Sequence, residues 1–62
     1  MNLRDIQERV NEIEYEKSVG DTENVAGLTT GLLKQFTRDL ASGHIDEIKQ
    51  AKAGAKIIVE IL

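Results

Sequence analysis

Sixty-two residues suffice for one domain and no more, and a chain this short buries only about 60% of the surface its unfolded form exposes. With neither cysteine nor proline, no disulfide or thiolate metal site can staple it, and helix breaks must come from glycine and polar clusters. The net charge of −3 disfavours nucleic acid as the main ligand, because a phosphate backbone selects for basic surface.

The first element opens at Asn2, a suitable N-cap, with Asp5 three residues on and Met1 and Ile6 in the positions of a hydrophobic staple. Leu3, Ile6, Val10 and Ile13 recur at three- and four-residue spacing, which makes a narrow apolar seam. Asp5 and Arg9 stand four apart in the favourable order for a helical ion pair. The run Ser18-Val19-Gly20-Asp21-Thr22 then interrupts the periodicity.

The second element starts near Asp21 or Thr22 and closes at Gly43, a residue suited to the left-handed conformation that ends many helices. Val25, Leu28, Thr29, Leu32, Leu33, Phe36 and Leu40 form a stripe wide enough to meet two neighbours. This is the expected central helix. After Ser42-Gly43-His44, a third element begins around Ile45 or Asp46, with Asp46 and Glu47 favourably placed against the N-terminal dipole. Ile48, Ala51, Ala55, Ile58, Val59 and Leu62 mark its expected core face.

The pattern predicts an all-α fold: a small antiparallel three-helix bundle, helices roughly 2–17, 22–42 and 46–61, in one domain over 1–62. Dimerisation is a means of completing its core. A rival reading takes the alternation Ile13, Tyr15, Lys17, Val19 and the β-branched run around Ile57 as strands. The three- and four-residue recurrence passes through both stretches more completely, so helix is preferred. No long apolar run follows Met1, and Ile57-Ile58-Val59 is cut by Glu60. The expectation is a cytoplasmic protein with no signal peptide or membrane segment.

Groups that carry chemistry are scarce. His44 is the single histidine, and His44, Asp46 and Glu47 sit too close in sequence to complete a zinc site by themselves. The serines and threonines lack a base to activate them. Gly27-Leu28-Thr29-Thr30-Gly31 lacks the lysine of a phosphate loop. A helix-turn-helix centred on Gly43 fails as well, because Asp39 and Lys49 occupy positions that want a small and an apolar residue. No cofactor, metal or enzymatic activity is expected.

Several surface features remain. Gly27, Gly31, Lys34 and Arg38 align on the side of the second helix opposite its core stripe. Each glycine costs about 1 kcal/mol relative to alanine, and two on one face suggest close approach of a partner's backbone or a phosphate. Gly54, Ile57 and Ile61 are expected to point away from the third helix's core face and to seek a second copy or another partner. Tyr15 faces away from the first-helix seam, as a contact anchor or folded over the Ser18–Thr22 loop.

Charge divides unevenly. Residues 1–23 hold seven acids against three bases, and residues 24–62 hold five bases against four acids. The function expected is a non-enzymatic, self-associating interaction or regulatory module that binds a partner protein, with a homodimer favoured. The alternative is a nucleic-acid-binding accessory protein using Lys34, Arg38, Lys49, Lys52 and Lys56.

Overall fold

The computed structural model describes residues 1–62. Three helices follow one another, α1 over Leu3–Ser18, α2 over Thr22–Ala41 and α3 over Ile45–Ile61, with no strand. The links are short and the molecule measures 37 × 16 × 16 Å. Successive helices therefore fold back antiparallel along one axis, and every pair is in contact. The stretches that alternate in sequence, around Ile13 and Ile57, lie inside α1 and α3.

Local chemistry sets the boundaries. The Asn2 side chain accepts the Asp5 N–H at 2.9 Å, and the Asp21 side chain accepts that of Asn24 at 3.0 Å. Each bond satisfies a backbone donor that a helix start leaves free. Gly20 (φ 81°) and Gly43 (φ 77°) take the left-handed conformation just past α1 and α2, where a side chain would be strained. His44 precedes α3 without a side-chain cap.

The buried apolar residues are Ile6, Val10 and Ile13 from α1, Leu32 and Phe36 from α2, and Ala51 and Ile58 from α3. Met1 packs against them beside α1, as a staple should. Its ammonium donates to Asp39 Oδ2 at 3.3 Å, and the Gln35 amide donates to Asp39 Oδ1 at 3.0 Å. Asp39 is only 4% exposed, so these partners offset the desolvation of a buried carboxylate. On the outside of α1 the ion pair is Arg4–Glu8, at 3.7 Å, rather than Asp5–Arg9.

The orientation of α3 differs from the sequence expectation. Gly54, Ile57 and Ile61 do not point outward: Gly54 is buried, while Ile57 and Ile61 are partly buried against the core. Val59 and Leu62, expected inside, are exposed. The cause is Phe36, whose ring lies over Gly54. A Cβ on Gly54 would fall 2.9 Å from Phe36 Cε1 and closer still to Cζ. Only glycine leaves room for that ring, so α3 turns Gly54 inward and carries Ile57 and Ile61 into the seam with α1. Leu3, Leu33 and Leu40, also expected in the core, are exposed too.

Candidate functional site

With α3 turned this way, the surplus apolar surface lies on the flank shared by α2 and α3. On α2, Asp39 faces the start of α1 through Met1, and Phe36 faces α3 through Gly54. At about 100° per residue, Leu33 and Leu40 fall on the far side of Phe36 from Asp39. They therefore flank the seam with α3. On α3, Ile61 borders a groove with Glu14, Lys17 and Ser18 of α1. Leu62 and, further round, Val59 fall on the other side of Ile58, toward α2, whereas Ile45 stands about 180° around the helix from Gly54 and faces away from α2.

The two sets share one flank, because antiparallel packing with Phe36 over Gly54 brings Leu33 near the level of the last turns of α3. Leu33 (43% exposed), Leu40 (51%), Val59 (77%) and Leu62 (61%) form an apolar strip on the α2/α3 flank. Single exposed isoleucines or leucines are ordinary. Four on one flank, in a chain with seven buried apolar residues, are not scattered.

At the Leu62 end the strip runs into a cleft of about 460 Å³ bordered by Lys17, Gly20, Val25, Ala26, Thr29 and Leu62. The Lys17 ammonium donates to the Ile61 carbonyl at 2.6 Å, which ties the end of α1 to the last turn of α3. Thr29 is 8% exposed and its hydroxyl has no hydrogen-bond partner. It is the one buried side-chain polar atom left unsatisfied.

Gly27, Gly31, Lys34 and Arg38 are all exposed on the outer side of α2. A Cβ built on either glycine meets nothing within 4 Å, so neither packs against a neighbour within the chain. Lys49, Lys52 and Lys56 are exposed on the outer side of α3. Together with Lys34 they rim the apolar strip. The outer side of α1 is instead acidic, with Glu8 and Glu12 exposed beside Tyr15. Tyr15 is 64% exposed, too open to be folded down on the Ser18–Thr22 loop.

No set of three or more His, Cys, Asp or Glu side chains is grouped to hold a metal ion, and His44 is exposed. No helix is long and apolar enough to cross a membrane. No known family model, curated protein or solved structure matches the chain. Its surface is therefore the guide to its function.

The spacing of the residues marks the basic rim and the open glycines, but it places Leu33, Leu40, Val59 and Leu62 in the core because they recur at core-stripe intervals. The signal that could have found them was the pairing of the single phenylalanine with Gly54. A bulky ring on the central helix requires a gap in a neighbour.

Proposed function

We propose that this chain is a non-enzymatic protein-interaction module whose working surface is the α2/α3 flank. The observation that carries the reading is the strip of Leu33, Leu40, Val59 and Leu62, open to solvent on that flank. An aligned apolar patch rimmed by charged residues is the usual anatomy of a docking surface. The groove between two packed helices accepts a further helix by the same ridge-and-groove fit that builds the bundle. The module works by occupying a partner; no arrangement of side chains supports an acid–base or nucleophilic step.

The test compares wild type with Leu40→Glu plus Val59→Glu in capture from source cells, alongside circular dichroism. Both positions are exposed, so the variant keeps its helicity. It loses any stoichiometric protein partner that wild type retains, and hydrogen exchange of the bound wild type slows on α2 and α3. Equal capture by both proteins overturns the reading.

A second reading draws on the exposure of all five candidate bases, Lys34, Arg38, Lys49, Lys52 and Lys56, on the outer sides of α2 and α3. A nucleic-acid backbone laid there would release counterions, and binding would weaken steeply with salt. Retardation of DNA or RNA at low salt, lost on Lys34→Glu with Lys52→Glu, supports it. No retardation at low salt ends it. The exposed acids Glu23 and Glu60 on the same helices make this the weaker reading.

A further inference from the structure

We infer that the occupant of the α2/α3 flank is an amphipathic helix of another protein, carrying an apolar row edged by carboxylates, which lies in the groove as the fourth helix of a bundle. The inference rests on the reading of that flank as an interaction surface, and it adds the form and charge of the partner.

The flank is built as a pair of helical rows. On α2, Ala26, Thr30, Leu33, Thr37 and Leu40 recur at alternating four- and three-residue steps, and all are exposed. On α3, Ile48, Lys52, Ala55, Val59 and Leu62 follow the same steps, and each is exposed or half-buried. Such steps draw one line along a helix, as in the seam of a coiled coil. Phe36 and Gly54 face each other, and measured from them both rows turn about 40–160° to the side away from α1. Ala26, Thr30 and Leu62 border one cleft, so the rows share a groove. From Ala26 to Leu40 it runs about 21 Å at 1.5 Å per residue, the length of roughly four helical turns. Near its middle the short side chains of Thr37 and Ala55 leave a hollow between Leu33, Leu40 and Val59. Hollows and ridges of this kind receive the side chains of a further helix.

The rims set the charge of the occupant. On the open side of the rows, about 80–100° around each helix from the middle of its row, stand Lys34 on α2 and Lys49 and Lys56 on α3. Lys52 adds an ammonium on the α3 row itself. Lys34 and Lys56 each lie two residues from the Phe36–Gly54 contact, so they bracket the middle of the groove. All four lysines are exposed, and the ion pairs of the chain are elsewhere, at Met1–Asp39 and Arg4–Glu8. Asp46 and Glu60 stand about 120–160° around α3 from the middle of its row, and Glu47 lies on its core side. Glu23 is on the line of the α2 row but about 20 Å from Phe36, whereas α3 reaches only about 12 Å past Gly54. A helix in the groove therefore meets positive charge on both edges and is matched by carboxylates beside its apolar row.

A second copy does not supply this helix. Flank on flank would set these lysines against their own kind, and the outer side of α1 offers Glu8 and Glu12 without an apolar row.

The test titrates the isotope-labelled full chain with three synthetic three-heptad peptides, followed by amide NMR shifts. One has leucine along the seam and glutamate at the flanking positions. The second has lysine at the flanking positions, and the third keeps the glutamates but has serine along the seam. The glutamate peptide binds one to one and moves the amide signals of Leu33, Thr37, Ala55 and Val59. The lysine peptide binds about tenfold more weakly, because flanking charges set partner choice in such bundles. The serine peptide does not bind. Lys34→Glu with Lys56→Glu reverses the preference between the first two peptides, and Leu40→Glu with Val59→Glu abolishes binding of both. Circular dichroism confirms that each variant is helical. Failure of the glutamate peptide to bind overturns the inference, as do equal binding of the first two peptides, shifts confined to α1, and a wild type that dimerises through these same residues. If the glutamate peptide fails yet the flank variants of the preceding section still lose a captured protein, only this inference falls. If those variants capture as wild type does, the interaction reading falls with it.

Discussion

At the scale of single residues, the tightest fit in the molecule is the ring of Phe36 against the bare Cα of Gly54. Adding one methyl group there puts a carbon within 2.9 Å of Phe36 Cε1, and the ring, enclosed by the core, has little room to withdraw. Overpacking of this kind costs about 1–3 kcal/mol. Gly54→Ala is therefore expected to lower the urea midpoint despite alanine's better helix propensity, and Phe36→Leu in the same chain should recover part of the loss. A rise in stability on Gly54→Ala alone would show that the ring does not sit there. Thr29 presents the opposite case. Its hydroxyl is buried without a partner, so its desolvation is uncompensated. Thr29→Val keeps a branched side chain and removes the polar atom. Its expected effect is neutral to about 1 kcal/mol stabilising, read as a thermal midpoint that holds or rises. A clear fall would mean that the hydroxyl is bonded in solution.

At the scale of elements, the helix limits were legible to within a residue because their causes are local. Asn2 and Asp21 cap through their own side chains, and Gly20 and Gly43 terminate through their own backbones. The facing of α3 was not legible. Ile57, Ile58, Val59, Ile61 and Leu62 surround the last turns with apolar side chains, so periodicity admits more than one core face there. Phe36, eighteen positions before the Gly54 it rests on, decides between them. On α2 the expected stripe was wider than its two neighbours cover, which is why Leu33 and Leu40 remain outside. The glycines of α2 give a test at this scale. Nothing lies within 4 Å of a Cβ at Gly27 or Gly31, so within one chain each costs helix stability without a packing return. Gly27→Ala and Gly31→Ala should each stabilise the fold by about 1 kcal/mol, measured by urea unfolding. A loss instead would show that another backbone rests on that face.

At the scale of the whole molecule, one chain hides few apolar residues: seven are fully buried. A lone bundle of this size has a thin margin between burial and the entropy of ordering the chain, and covering the α2/α3 strip adds apolar burial to the folded side only. Association that favours the folded chain alone makes stability depend on concentration. The thermal midpoint of wild type should therefore climb as the concentration of a protein that docks on this flank is raised, and stay fixed in its absence. Leu40→Glu should remove the climb and leave a lower, concentration-independent midpoint, because Leu40 is 51% exposed in the single chain and its replacement costs little there. Ionic strength separates the contributions to docking: salt screens the lysines beside the flank but leaves the apolar strip in place. Moderate salt should thus reduce the climb without abolishing it. If salt abolishes it entirely while Leu40→Glu has no effect, charge alone holds the partner and the strip lies outside the interface.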